Sequence, residues 1–191
     1  MKKYFLLALI CFSTSALIAQ TNGSKLPAVD KSPMDMAYYP VNYPVLKIQD
    51  KATEPLAARV IYSRPLKNNR TIYGELVEYN KIWRLGANEA TEIEFFKNVT
   101  VGGKKIPKGR YTLFAIVNPT EWTLIINKDT DIWGAFKYDE KKDVARVTVP
   151  AQKTAEPVEA FTMSFNKSNN NTIDLVIAWD TVMVNLPISL K

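Results

Sequence analysis

The chain has 191 residues, 47% of them hydrophobic, with 7 Gly, 11 Pro, a formal net charge of +6, one Cys and no His. This is the make-up of a single globular domain and excludes a disordered, collagenous or coiled-coil chain. The positive charge is spread along the sequence instead of gathered in a basic stripe, so nucleic acid is not expected as a partner.

At the N-terminus, Lys2 and Lys3 precede an apolar run from Tyr4 through Phe12 that ends in Ser15-Ala16-Leu17-Ile18-Ala19. This is the layout of a secretory signal peptide over residues 1–19, with cleavage after Ala19. The uninterrupted apolar part is shorter than the ~20 residues a bilayer core requires, and no transmembrane anchor is expected in the mature chain. Ile10 stands where lipoprotein processing at Cys11 wants a small residue. The expectation is therefore export, to the periplasm or beyond, of a chain that retains neither Cys nor His. Such a chain forms no disulfide, and Cys/His zinc sites and Cys or Ser-His-Asp nucleophiles are excluded; no metal or cofactor is expected.

Residues 20–45 carry Pro27, Pro33, Pro40 and Pro44 and read as an extended Pro-rich lead-in, since proline neither continues a helix nor sits in a central strand. Over residues 46–191 the dominant signal is alternation with period two, broken at short intervals by turn residues. Strands are predicted over residues 57–63, 92–97, 110–117, 122–127, 143–149, 159–166, 173–179 and 182–188. Most have one apolar face, but Leu113, Ala115 and Val117 alternate with Phe114 and Ile116, which marks a central strand covered on both faces. Val101-Gly102-Gly103-Lys104 and Ile106-Pro107-Lys108-Gly109 read as tight turns. Ser168-Asn169-Asn170-Asn171 reads as a connection whose asparagines tolerate left-handed backbone. The predicted fold is all-β, an antiparallel β-sandwich or jelly-roll-like domain, with at most one short helix, placed within Gly74 to Tyr79.

Polar and aromatic residues crowd into a few stretches. These are Tyr62-Ser63-Arg64-Pro65; Arg70-Thr71-Ile72-Tyr73-Gly74; Trp83-Arg84-Leu85-Gly86-Ala87-Asn88-Glu89-Ala90-Thr91; Gly109-Arg110-Tyr111; Glu121-Trp122; Trp133-Gly134; and Tyr138 through Asp143 to Arg146. On these motifs the chain resembles the DUF2911 family of exported bacterial proteins, common in Bacteroidetes, over about Ser32 to the C-terminus. Asn69 stands where the family usually has Gly; Asn tolerates left-handed backbone, so the turn is expected to survive. The resemblance implies an exported β-domain and singles out residues, but supplies no reaction.

Physically, Gly86 and Ala87 permit a close turn that would let Arg84 fold back on Glu89 while Asn88 and Thr91 cap the exposed amides. One reading is a structural latch, a buried Arg–Glu pair, in an envelope domain with no small ligand. Another is a binding site for a small polar or anionic ligand, carbohydrate included. There Arg64, Arg70 and Arg84 serve as anion contacts, Asn88, Glu89 and Thr91 as hydrogen-bonding partners, Tyr138 beside them, and Trp83 and Trp133 as flat apolar faces. Trp122 is expected in the core and Trp133 exposed. A third reading is a carboxylate-based glycan hydrolase. With no imidazole available, Glu89 would be the catalytic acid or base, and Asp139 or Asp143 the second carboxylate. The competing reading of residues 138–143 is a solvated charged turn before a strand. Calcium held by Glu89, Asp139 and Asp143 lacks an acidic loop of recognised spacing. Ligand binding at one hollow around Arg84, Asn88 and Glu89 is the favoured reading.

Overall fold

The computed structural model of the protein describes residues 26–190. The expected signal peptide, its cleavage site and Cys11 lie outside the described residues. Among those described, no helix is long and apolar enough to cross a membrane.

Two antiparallel sheets face each other. The larger is built from β1 (Met34–Tyr39), β2 (Ala58–Ser63), β4 (Glu92–Phe95), β7 (Gly109–Val117), β8 (Glu121–Asn127) and β9 (Asp143–Pro150), in the order β1-β2-β4-β7-β8-β9. The short β3 (Ile82–Trp83) pairs with β7 at Ile116 and Ala115. The smaller sheet has the order β10-β11-β5-β6, with β5 (Val99–Val101), β6 (Lys104–Ile106), β10 (Gln152–Lys167) and β11 (Thr172–Ser189).

Alternation places the core between the sheets. Val60 and Tyr62 of β2, Leu113, Ala115 and Val117 of β7, and Trp122, Leu124 and Ile126 of β8 face Phe161, Met163 and Phe165 of β10 and Ile173, Leu175, Ile177 and Trp179 of β11 in one buried cluster. Each such side chain contributes roughly 1.5–3 kcal/mol through removal from water. The other face of β7 is covered too: Phe114 packs with Ile125 and Ala90 under the loop that carries Ile132, Ala135 and Tyr138. β7 is the central, doubly covered strand that its sequence predicts.

Four local expectations change. The helix is not at Gly74 to Tyr79 but at Tyr43–Ile48 (α1), which opens after Asn42 in left-handed conformation with Pro44 in its first turn, a position where the missing N–H costs nothing. Gly74 to Tyr79 is a folded-back turn in which the Gly74 N–H donates to the Val77 carbonyl at 2.9 Å. Within the Pro-rich lead-in, residues 34–39 form β1, an edge strand, which is where a proline-flanked segment can pair. The two strands expected over 173–179 and 182–188 are one, because Asp180 at φ 51 and a shift of register opposite it bend the chain without reversing it. The connection at residues 168–171 joins β10 to β11 as expected, but through Ser168 and Asn169 N–H bonds to the Thr172 carbonyl and not through left-handed asparagines. Asn69 does adopt φ 56, so the turn that glycine would serve is kept.

Candidate functional site

The loop that follows β3 is closely specified by hydrogen bonds. Leu85, Gly86 and Asn88 have φ of 56°, 138° and 58°. The Trp83 indole N–H donates to the Gly86 carbonyl at 3.3 Å, the Thr91 N–H to the Arg84 carbonyl at 3.1 Å, and the Thr91 hydroxyl to the Leu85 carbonyl. Ser63, the last residue of β2, holds the tip: its Oγ accepts from the Ala87 N–H and donates to the Ala87 carbonyl, both at 2.6 Å. Thr91 therefore caps a carbonyl and not the exposed amide expected of it; the side chain is buried and its one hydroxyl hydrogen is already engaged.

This winding separates the residues expected to meet. Arg84 and Glu89 form no pair; the Arg84 guanidinium lies half-buried beside Arg70, while Glu89 is exposed and bridges to Trp133 across the loop. Arg84 is the unusual group. Burial alone pushes its pKa below the ordinary arginine range, with no acid contributing, and its Nε is buried without a hydrogen-bond partner. Neither half of the latch reading, a buried pair or a satisfied guanidinium, is present.

The cavity beside Arg84 measures about 280 Å³ and is lined by Arg70, Arg84, Trp83, Trp179, Val77 and Ser32 among others. Trp83 is 7% exposed and stacks on Trp179 of the opposite sheet, with ring centroids 6.1 Å apart and planes 16° from parallel; Trp122 meets Trp83 edge-on at 5.8 Å. Arg70 is held by two backbone carbonyls, its Nε donating to Lys67 at 2.9 Å and its Nη2 to Leu66. These carbonyls hold the exposed Arg70 without neutralising it. Tyr73 packs against Trp122 at 5.3 Å, its hydroxyl buried and unpartnered. Burial first, then the negative charge of Asp180 and Tyr79, raises its pKa.

The other candidates lie elsewhere or are already engaged. Arg64 is not an anion contact: its nitrogens bind the Phe161 carbonyl at 3.2 Å, Asp35 at 3.0 Å and Thr162 Oγ1 at 2.9 Å, clamping β2 to β1 and β10. Asn88 donates to Asp30 at 3.0 Å. Trp133, 61% exposed, lines a separate hollow with Asp129, Asp131 and Phe136. Glu89 lines a third with Glu92 and Asp131, both of which are ion-paired to Arg110, at 3.4 and 2.6 Å.

Neither of the expected second carboxylates faces Glu89. Asp139 accepts from the Lys141 N–H at 3.0 Å and caps the single turn at Glu140–Lys142. Asp143 accepts from Tyr138 at 2.6 Å, Arg146 at 2.7 Å and Asn127 at 2.7 Å. Tyr138 thus belongs to a closed network, and burial, followed by its bond to Asp143, pushes its pKa up to about 12. The single hollow joining Arg84, Asn88, Glu89 and the Tyr138 turn does not form, because the positive-φ residues between Arg84 and Glu89 send their side chains apart. The partner of Trp83, Trp179, was legible as a core residue from the alternation of β11. Its place in the cavity wall was not, since nothing local to either tryptophan says that β3 and β11 meet.

Fold and cavity together define a two-sheet antiparallel sandwich with an uncompensated cationic and aromatic recess at the loop end of β3. The family profile of DUF2911, a protein family of unknown function, matches residues 45–188; the chain belongs to this family. No match was found among curated proteins or among solved structures.

Proposed function

We propose that the protein, exported by its N-terminal signal segment, binds a small anionic ligand in the recess between Arg70 and Arg84. The single observation that carries this reading is Arg84. It is a half-buried guanidinium with, among the described residues, an orphaned Nε and no carboxylate beside it. Taking a cation out of water costs several kcal/mol, and an unmade hydrogen bond to a buried donor costs a further ~1–3 kcal/mol. A ligand carboxylate or similar anion would offset both through charge-assisted, bidentate bonds. Catalysis has no comparable support, because Glu89 faces neither Asp139 nor Asp143.

The test is thermal unfolding of wild type and Arg84→Met at constant ionic strength with acetate, phosphate, sulfate, organic acids and neutral glucose. A bound anion should raise the wild-type Tm by mass action, glucose should not, and the shift should vanish in Arg84→Met. Without ligand, Arg84→Met should be at least as stable as wild type, since it removes a buried charge that has no partner. A less stable variant, together with no anion-dependent shift in wild type, would make Arg84 structural and end the proposal.

A further inference from the structure

Resting on the anion-binding reading, we infer that the ligand class of the Arg70–Arg84 recess is a small carboxylic acid with a flat apolar body, of the arylacetate type, and not an inorganic anion or a sugar acid. Three features of the recess converge on this.

The first is size. A cavity of about 280 Å³ holds on the order of nine waters at ~30 Å³ each, and so accepts a molecule of about ten non-hydrogen atoms. Phosphate or sulfate alone would leave most of that space to water.

The second is the wall. Trp83 and Trp179 lie nearly parallel, and with Pro65, Leu76 and Val77 they supply the apolar half of the cavity lining beside the guanidiniums. An aromatic or branched aliphatic body fills such a surface and gains from displacing its water.

The third is the donor and acceptor inventory. Apart from the two arginines and the two indole N–H groups, which are already given to the Gly86 and Glu159 carbonyls, Ser32 is the one side chain in the lining that carries a polar group. A sugar acid would bring several hydroxyls into the recess with almost nothing to receive them, and each unmade bond weakens binding. A carboxylate needs little more than what is present: the planar fork of Arg84, its Nε still unengaged, and the remaining face of Arg70, whose Nε and Nη2 are already held by backbone carbonyls. Two cations and an apolar wall match one acidic head on one apolar body.

The experiment is isothermal titration of the full exported chain with phenylacetate, benzyl alcohol, glucuronate and inorganic phosphate, on wild type, Arg84→Met and Arg70→Met. Tryptophan fluorescence serves as a second readout, since two indoles wall the site. Phenylacetate should bind at least about tenfold more tightly than glucuronate, phosphate or the uncharged benzyl alcohol, and change the tryptophan emission. Loss of one charge-assisted contact in either arginine variant should weaken it by about tenfold or more. Having both variants keeps the test alive if one of them misfolds. If glucuronate or phosphate binds as well as phenylacetate in an Arg84-dependent way, the apolar-acid inference falls while the anion-binding reading stands. If no anion binds, or phenylacetate binds both arginine variants as tightly as wild type, both fall together.

Discussion

At the scale of single residues, Asp143 shows how a polar cluster can be motif-dense and still be structural. Its carboxylate is 10% exposed and takes bonds from Asn127, Tyr138 and Arg146, while Arg146 also donates to the Tyr138 oxygen at 2.7 Å. The Asp143 carboxylate and the Tyr138 hydroxyl are both engaged within the ring, which leaves little to hold a substrate. The consequence is readable as pH dependence. The Tyr138 pKa stands at about 12 in the folded protein, raised from 10.0 by burial and by Asp143. The folded state therefore holds this proton more tightly than the unfolded chain, and the associated stability is complete below about pH 10 and lost as pH rises towards 12. Tyr138→Phe should be less stable than wild type near pH 8 by about 1–2 kcal/mol, the worth of the bonds it loses. That gap should narrow between pH 10 and 12, because only wild type has the proton to lose. Urea midpoints of the two proteins across that range measure it, and a gap that stays constant would mean the Tyr138 hydroxyl is not held as described. The resemblance to DUF2911 singled out Tyr138, Asp143 and Arg146 as a group, while the residues themselves read as a solvated charged turn. Their role was hidden because Asn127, which closes the ring, stands opposite Asp143 on β8, and strand register is not visible in a motif.

Among the elements, the loop from Arg84 to Thr91 decides which residues share a cavity, and its geometry hangs on two small side chains. A Cβ at Gly86 would lie 2.6 Å from Ser63 Oγ, and the φ of 138° there is one that L side chains rarely adopt. Gly86→Ala should therefore destabilise the protein by roughly 2–4 kcal/mol, combining backbone strain of about 1–3 kcal/mol with loss of the Ser63–Ala87 bonds. Ser63→Ala should cost about 1–3 kcal/mol by leaving the buried tip of the loop unpaired. In both variants the loss should be accompanied by weaker anion binding, since the same loop holds Arg84. Equilibrium unfolding with and without ligand reads both effects, and a Gly86→Ala protein of wild-type stability would contradict the close approach. Gly86 and Ala87 announced a tight turn in the sequence. What they did not announce was left-handed Leu85, a fully buried leucine whose conformation costs about 1–2 kcal/mol and is tolerated only because Thr91 and Trp83 bind the carbonyls on either side. A rule that assigns positive φ to glycine and asparagine passes over it, and with it the reason Arg84 and Glu89 part. β1 escaped for a similar reason: its prolines mark what the segment cannot be, while its pairing with β2 comes from partner residues about 25 positions away.

For the whole molecule, alternation was enough to read two packed sheets, because each inward face is an unbroken series of apolar residues. What alternation cannot give is which strands lie across the gap from one another, and the recess depends on that. Trp83 from the larger sheet stacks on Trp179 from the smaller, and Phe161 of β10 meets both, at 5.3 and 5.8 Å. These three rings belong to the one cluster that runs between the sheets, so the sheets share their main core, and the larger sheet has only the small cluster around Phe114 to itself. Trp179→Ala should then cost about 3–5 kcal/mol, the usual loss for a large buried aromatic. Trp179→Phe, which keeps a ring but drops the indole bond to the Glu159 carbonyl at 3.1 Å, should cost about 1–2 kcal/mol. In every case unfolding should remain a single transition, with far-ultraviolet circular dichroism and tryptophan fluorescence tracing coincident urea curves. Separate transitions for the two signals would mean that the sheets unfold independently. The stacked pair could then not be a fixed wall, and the recess between Arg70 and Arg84 would lose the rigid apolar side on which its choice of ligand depends.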